Sequence, residues 1–484
     1  MSNPIVEMDA CELSEAIHSR KTSCREVMTA YLDHIEKVNP GVNAIVTLVD
    51  RDALMKEAGE KDDALARGKD QGWMHGFPQA VKDLAFTKGI RTTMGAVVLK
   101  DFVPDTDSPF VTSMKDSGAI IIGKTNTPEF GYGSQTYNEV FGPTGNPYDH
   151  SRTSGGSSGG AACAVAMRMQ AVADGSDYMG SLRNPAGWCN VFGYRPSLGC
   201  VATEGLERFV IPSMATNGPM ARTVADVALL LATMAGYKPE CPLTKDIDPR
   251  LAALTPRNVH QALEKDHKGV KVAWIGDWGG KLPLEPGIEE ICRKALANVE
   301  SFGATVEEIE PFYDMDDFWE NIWLPIRHFS ACSLKTWYDK GMQDLLKPEA
   351  RWEYEGSLNK SVQDLYAAFQ KRTDFLHAML KVYEKYDFIA APSAQVFPFD
   401  KNIHWPGEIA GRKMQTYHNW MQIVTPWTMG GNAIIAVPAG FGGPDGLSMG
   451  IQLVAPQRKD FDLLQFARAY EKATDFVKRR PPVF

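Results

Sequence analysis

The chain has 484 residues, of which 44% are hydrophobic and 23% are charged, a composition typical of soluble globular proteins. Its formal net charge of −9 at pH 7 argues against a nucleic-acid partner, because binding phosphate groups requires a basic surface. The sequence contains no run of about 18 apolar residues, so we expect neither a membrane span nor a membrane partner. Length alone favours two domains.

The cysteines and the amino-terminal residues bear on the cellular compartment. The eight cysteines are scattered singly without CxxC spacing, so buried free thiols in a reducing environment are the simplest interpretation. The first residues lack the basic and then apolar pattern of a secretory leader. We therefore expect a cytoplasmic protein.

Helices and apolar strands alternate along the chain. Asp9 and Ser23 are predicted to cap the first two helices. Residues 79–85 predict a short strand entering the core, and the uninterrupted apolar run 118–123 predicts a strand covered on both faces. Further strands are predicted at residues 270–276, 388–391, 433–437 and 448–454, with helices at 223–235, 287–302 and 463–473. This alternation predicts the α/β class with a mostly parallel or mixed sheet.

Two polar turns rich in glycine and serine lie within residues 152–183. The first contains Ser157 and the second contains Ser181. The alanine-rich apolar segment between them predicts a buried helix, and this helix with the strand after it would bring the two serines together. Glycines beside a hydroxyl let the main chain approach a substrate closely and direct N–H groups at it. The pattern indicates serine chemistry, which requires a base.

The usual sources of such a base have no support in the sequence. The ten histidines show no HExxH or paired ligand spacing, so a metal mechanism is not indicated. Residues 155–159 formally match the G-x-S-x-G nucleophile elbow, but polar turn formers precede them instead of an apolar strand. No Lys-Ser or Lys-Thr pair follows the glycines, so a phosphate-binding loop is not indicated either.

Lys82 is the candidate base. It lies inside an apolar strand segment, where burial lowers the pKa of an ammonium from about 10.4 toward neutrality. A lysine in that state serves as a general base. The alternative interpretation, a lysine that extends to solvent or pairs with the adjacent Asp83, stays open on residue type alone.

Taken together, these motifs resemble the amidase signature family of serine hydrolases. The resemblance runs almost end to end and is carried by residues 75–78, 81–83, 92–95, 118–120, 123–130, 145–147, 155–160, 180–186, 430–432 and 437–440. It implies one large α/β/α domain over residues 1–484, with a mixed, mostly parallel, twisted sheet flanked by helices. The signature core would span residues 75–205, and a helical, aromatic-rich region at about 310–430 would cover the mouth of the active site.

The resemblance also implies a set of site residues. Ser181 would be the nucleophile, Ser157 the bridging serine after a cis peptide bond from Gly156, and Lys82 the base. Neither a cofactor nor a metal is implied. The oxyanion hole would consist of the backbone N–H groups of Tyr178, Met179, Gly180 and Ser181.

Three further residues and one departure from the family pattern refine this expectation. Asp177 and Arg183 flank the nucleophile turn and are expected to hold its shape. Met179 stands where the family commonly has glycine, and its side chain either lines the acyl pocket or packs behind the loop. Tyr132 lies where members of the family often contact substrate, so Tyr132 and Met179 are the candidate substrate-binding residues.

The expected activity is hydrolysis of a carboxylic amide, with esters and carbamates left open. The pattern is similar to that of bacterial amidases acting on aryl amides or on nylon-type oligoamides, so we expect an apolar or aromatic small-molecule substrate. The tryptophans and methionines at 310–430 either line its pocket or pack in the core. The alternatives are an amidotransferase A-type subunit, which needs partner subunits, and a binding homologue with impaired catalysis. A homodimer is one further expectation.

Overall fold

The computed structural model describes residues 3–203 and 214–482, so the last two residues of the expected 75–205 core lie outside the described residues. The described strands are β1 (Ile45–Leu48), β2 (Pro78–Lys82), β3 (Ile120–Thr125), β4 (Val172–Asp177), β5 (Phe192–Arg195), β6 (Thr216–Ala221), β7 (Lys271–Trp274), β8 (Thr305–Glu308), β9 (Phe388–Pro392), β10 (Glu408–Ile409), β11 (Arg412–Lys413), β12 (Ala433–Gly442) and β13 (Leu447–Ala455).

The described α-helices are α1 (Pro4–Glu7), α2 (Ala10–His18), α3 (Cys24–Val42), α4 (Arg51–Ala66), α5 (Pro109–Asp116), α6 (Gly159–Ala166), α7 (Asn184–Cys189), α8 (Val224–Met234), α9 (Pro249–Ala252), α10 (Val259–Ala262), α11 (Ile288–Leu296), α12 (Met315–Phe318), α13 (Leu324–Ser330), α14 (Lys335–Asp339), α15 (Pro348–Ser357), α16 (Val362–Tyr383), α17 (Thr425–Gly430) and α18 (Asp460–Ala473). Asp9 and Ser23 form capping boxes at α2 and α3, as predicted. None of the helices described combines the length with the apolar composition that spanning a bilayer requires.

A large mixed sheet flanked by helices organises the fold, which confirms the α/β class. Its strand order is β4-β6-β5-β12-β13-β9-β7-β8. The expectation of mostly parallel pairing is wrong for the part of the chain that the structure describes. In the large sheet the five pairings from β4 to β9 are antiparallel, whereas β9–β7 and β7–β8 are parallel.

A smaller sheet lies beside the large one and carries β2 into the site. Its order is β1-β3-β2, with β2 parallel to β3. The two sheets are joined where the Lys82 N–H donates to Asp174 Oδ2 at 3.1 Å. The alanine-rich α6 is buried along its whole length, as the sequence predicted, because its small side chains let both sheets approach it.

One contiguous hydrophobic core runs from the amino-terminal helices to α18, with Val6 and Tyr470 near its two ends in the chain. The fold is therefore a single domain, and the two domains that length alone favoured are not found. Cys332 is exposed, although the sequence favoured buried thiols.

Candidate active site

Three elements bring Lys82, Ser157 and Ser181 to one place. Lys82 ends β2, Ser157 lies just before α6, and Ser181 lies in the loop after β4. All three side chains are buried, with exposed fractions of 1%, 2% and 5% respectively. The turns before α6 and after β4 are joined directly, because the Ser158 N–H donates to the carbonyl oxygen of Ser181 at 3.3 Å.

The amine of Lys82 is surrounded by serine oxygens. Its Nζ lies 2.8 Å from Ser157 Oγ, 2.8 Å from Ser158 Oγ and 2.9 Å from Ser176 Oγ, with the Ser176 carbonyl oxygen at 3.3 Å. A neutral amine donates two hydrogens and offers one lone pair, whereas an ammonium donates three and accepts none. A serine hydroxyl at this site can therefore donate a proton to Lys82 when the amine is neutral.

Burial sets the protonation of this amine. Loss of solvent lowers the pKa of Lys82 to about 7, against the opposing charges of Asp174 and Asp177. Both forms are consequently populated near neutral pH. Asp83 does not pair with Lys82, because its carboxylate accepts the backbone N–H and hydroxyl of Thr93. The alternative of a solvent-reaching or Asp83-paired lysine is therefore wrong.

The peptide bond between Gly156 and Ser157 is cis, as the resemblance implied. The turn at Glu129–Gly131 packs against Ser157, since a side-chain carbon placed on Gly131 would lie 3.4 Å from Ser157 Oγ. Among the described residues, no hydrogen bond joins the hydroxyls of Ser157 and Ser181.

Asp177 holds the loop that presents Ser181. Its carboxylate accepts the N–H groups of Gly180 at 2.9 Å and Leu182 at 3.0 Å. Arg183 binds the same carboxylate through Nε at 2.9 Å and Nη2 at 3.0 Å. Burial raises the pKa of Asp177, but Arg183, Arg195 and the Leu182 N–H together outweigh burial and the pKa falls to about 2. These contacts confirm that Asp177 and Arg183 hold the turn in shape.

The hydrogen bonds of this loop bear on the expected oxyanion hole. The N–H of Gly180 is already used by Asp177. In the described part of the chain, the N–H groups of Tyr178, Met179 and Ser181 donate to no protein acceptor. The carbonyl oxygen of Met179 accepts a hydrogen bond from Ser134 Oγ at 3.2 Å, and its side chain is buried in the main core.

Tyr132 lies in a second, smaller apolar cluster beside the Glu129–Gly131 turn. Its buried members are Tyr132, Ala331, Leu334, Leu346, Ala350 and Tyr354, with Phe130 and Trp337 packed against them. Most of these residues come from the 310–430 region. Other tryptophans of that region, Trp319 and Trp323, are buried in the main core, so core packing is the correct interpretation for those two.

Sequence reasoning missed four residues that the structure brings to the site. Ser158 and Ser176 contact the Lys82 amine, and their positions beside Ser157 and Asp177 in the two polar turns were the signal that could have revealed them. Arg327 lies against the rings of Tyr132 and Tyr178, and Glu353 accepts a hydrogen bond from Arg327. No local motif marks these two, because their contacts come from distant parts of the chain.

Potential metal ligands meet away from the site. Within the described ranges, Asp9, Cys11 and Asp226 bring their ligand atoms close together. The Asp226 carboxylate there accepts the N–H groups of Ala10 at 3.1 Å and Cys11 at 3.2 Å at the start of α2. This bonding is that of a helix cap.

Comparisons with known proteins agree with this architecture. The Amidase family model matches residues 26–464. The chain is 33% identical to the A-type subunit of a glutamyl-tRNA(Gln) amidotransferase from Moorella thermoacetica, covering 98% of both chains, and 32% identical to an acylamidase from Rhodococcus erythropolis, covering 98% of this chain and 97% of the relative. A solved bacterial aryl acylamidase superposes with a TM-score of 0.88 at 27% identity over 98% of both chains. The chain therefore belongs to the amidase family of enzymes.

Proposed function

We propose that this protein hydrolyses carboxylic amides through an acyl-enzyme on Ser181, with Ser157 and Lys82 as its proton relay. One observation carries the proposal. The buried Lys82 amine, whose pKa is about 7, lies 2.8 Å from Ser157 Oγ at the turn that joins the Ser181 loop. An uncharged amine in contact with a serine hydroxyl is the arrangement that activates a serine without histidine.

In the proposed reaction, neutral Lys82 takes the proton of Ser157 while Ser157 takes the proton of Ser181. Ser181 Oγ forms a bond to the amide carbonyl carbon, and the N–H groups of Tyr178, Met179 and Ser181 stabilise the oxyanion. The relay returns the proton to the nitrogen as the C–N bond breaks, which releases the amine. Water then attacks the acyl-enzyme through the same relay and releases the acid. Substrate binding has to bring the Ser181 hydroxyl to Ser157, because catalytic hydrogen bonds often tighten only in the complex.

Substitutions at the relay test this proposal. We expect Ser181→Ala to abolish amide turnover and the burst of p-nitrophenol from a p-nitrophenyl ester. Lys82→Ala should slow both by several orders of magnitude, about 10³-fold or more, because the general base is lost. Ser151→Ala, at an exposed serine near the first turn, is the control and should behave as the wild type.

The outcomes separate the alternatives. A protein that binds amides with no burst would be the impaired binding homologue. A Lys82→Ala variant with near-normal turnover would remove the proposed base and with it the relay.

We further propose that the substrate is apolar or aromatic on the side that faces Tyr132. The small cluster around Tyr132 supports this, because Phe130 and Trp337 add aromatic surface to a cluster that adjoins the Gly131 turn, and this turn packs against Ser157. The likeness to a bacterial aryl acylamidase is a second support. Acyl anilides should therefore be cleaved faster than short aliphatic amides, and the reverse preference would contradict this substrate class.

The second candidate function is that of an amidotransferase A-type subunit. The 33% identity to such a subunit of a glutamyl-tRNA(Gln) amidotransferase supports it. In that role the same relay would release ammonia from an amide donor for use by partner subunits.

A further inference from the structure

A cation lies between two tyrosine rings at the active site. The guanidinium carbon of Arg327, on α13, is 4.7 Å from the ring centre of Tyr132 and 4.6 Å from that of Tyr178. A guanidinium is planar and weakly hydrated, so it can stack on aromatic faces in a way that the ammonium of a lysine cannot. Arg327 is almost fully buried, which strengthens such contacts.

The Arg327 side chain is held in place by Glu353. Its Nε donates to Glu353 Oε1 at 2.8 Å, and Tyr417 donates its hydroxyl hydrogen to the same oxygen. Glu353 is on α15 and is fully buried. Burial lowers the pKa of Arg327, but the Glu353 carboxylate together with the neighbouring tyrosines outweighs burial and holds the pKa well above the usual range. The guanidinium is therefore charged at neutral pH.

Tyr132 belongs to a loop that packs against Ser157, and Tyr178 belongs to the loop that presents Ser181. Tyr132 directly follows Gly131, where an added side-chain carbon would lie 3.4 Å from Ser157 Oγ. Tyr178 lies in the loop that presents Ser181 and whose N–H groups at Tyr178, Met179 and Ser181 have no protein acceptor in the described part of the chain. The same two loops are joined a second time by the hydrogen bond from Ser134 to Met179. The separation of these loops therefore depends on this hydrogen bond and on the side chain that lies between Tyr132 and Tyr178.

We propose that Arg327 is a positioning residue that sets the distance between the Ser157 side and the Ser181 side of the active site, an inference that rests on the proposed function. A planar cation held by Glu353 fixes both rings, and the rings fix the backbones to which they belong. Misplacement of reacting groups by about 1 Å can cost about 10²-fold in rate. Within the described residues no contact joins Arg327 to Lys82, Ser157 or Ser181, so it acts on them through the two tyrosines.

The test is the pre-steady-state burst with a p-nitrophenyl ester in Arg327→Lys and Arg327→Met. We expect the burst rate constant and kcat to fall about 10-fold in the lysine variant and about 10²-fold in the methionine variant, with KM changed much less. The apparent pKa of the activity profile should stay near 7, because the surroundings of Lys82 are unchanged. Arg293→Lys is the matched control, because Arg293 pairs with Glu289 and stacks on Trp274 away from the site, and it should keep the wild-type rate.

The burst separates positioning from folding. A variant that merely unfolds in part loses burst amplitude and keeps the rate constant, and this result would overturn the proposal. Tyr178→Phe keeps the ring and should retain at least about ten times the burst rate constant of Tyr178→Leu, whereas equal losses would also overturn it. If the wild type is active and both Arg327 variants match it, the positioning role of Arg327 is wrong while the proposed function stands. If the wild type gives neither burst nor amide turnover, both the proposed function and the positioning role are wrong.

Discussion

Lys82 combines a buried position with a set of neutral partners. Its nearest side-chain oxygens are the hydroxyls of Ser157, Ser158 and Ser176, while the carboxylate of Asp174 binds the backbone N–H of Lys82. Hydroxyls can accept from an ammonium or donate to an amine, so they tolerate both protonation states. Desolvation is then free to lower the pKa of Lys82. This combination suits a residue that has to lose and regain a proton in each turnover.

The first prediction for Lys82 concerns the pH dependence of activity. Since the pKa of Lys82 is about 7 in the folded protein, the amine is protonated and inactive below that pH. We expect kcat/KM to rise about tenfold per pH unit below pH 7 and to level off above it, because one deprotonation generates the base. Rate measurements from about pH 5 to 9 check this, with circular dichroism confirming that the protein stays folded. An apparent pKa near the ordinary lysine value would contradict it.

A second prediction concerns Asp177. Asp177→Asn leaves the fully buried Arg183 without its carboxylate, and breaking a buried ion pair costs about 3–5 kcal/mol of unfolding free energy. The pKa of Asp177 is lowered to about 2 from 3.8, so its contribution is present above about pH 4 and is lost as pH falls through 2. Urea unfolding at neutral and at low pH measures both effects.

The matched control for Asp177 is Glu289→Gln, which breaks the half-exposed pair between Glu289 and Arg293. Exposed pairs are worth about 0–1 kcal/mol, so we expect a change within that range. Equal effects of the two substitutions would contradict the prediction that the buried Asp177–Arg183 pair contributes more to the unfolding free energy than the exposed pair.

At the scale of elements, the loop between β4 and α7 depends on a backbone conformation that favours glycine. Gly180 has φ = +81°, and a side-chain carbon there would lie 2.4 Å from Asn184 Oδ1 and 2.9 Å from Val424 Cγ2. The conformation directs the Gly180 N–H at Asp177. The glycine of the family motif is thus explained by the turn and by the close approach of its neighbours.

Gly180→Ala tests this loop. The positive φ alone costs about 1–2 kcal/mol for a residue with a side chain. The close contacts of the added carbon with Asn184 and Val424 would also displace the loop, so we expect amide turnover to fall about 10²-fold. Gly411→Ala is the control, because Gly411 has φ = +82° with nothing within 4 Å of the added carbon. Gly411→Ala should lose about 1–2 kcal/mol of stability and keep its activity. Equal losses of activity in the two variants would contradict this prediction.

The direction of strand pairing shows where sequence patterns fail. Apolar runs predicted β3, β7, β9, β12 and β13, and the structure contains each of them. Burial makes a strand apolar whichever way its neighbours run, so these runs do not specify pairing. The glycines and proline at residues 442–446 were a hairpin signal, and β12 and β13 do pair antiparallel across that turn.

At the scale of the whole molecule, one main hydrophobic core is found where length alone favours two domains, each with its own core. The large sheet extends over most of the described chain, and helices from both ends of the sequence pack into a single hydrophobic cluster. Residues of the 310–430 region reach the site loops through Arg327 and through Lys347, whose Nζ donates to the carbonyl oxygen of Tyr132 at 3.0 Å. These contacts support the expectation that this region covers the mouth of the site.

The corresponding prediction is that the purified chain acts alone. If the acylamidase function is correct, the protein without added subunits hydrolyses acyl anilides, because all three residues of the proposed relay lie within one chain. Release of aniline measures this activity, and release of ammonia from glutamine is the comparison. A protein inert on anilides that gains glutaminase activity only with partner subunits would favour the amidotransferase alternative.

The amino-acid sequence was enough to predict the residue types of the proposed relay, the caps of the early helices and the family to which the chain belongs. Those features are local, since each depends on a short motif whose residues are neighbours in the sequence. The three-dimensional fold was needed to establish which strands pair, that the Lys82 amine is enclosed by three hydroxyls, and that Arg327 lies between Tyr132 and Tyr178. These features arise from contacts between residues far apart in the chain, and burial in the common core sets their energies.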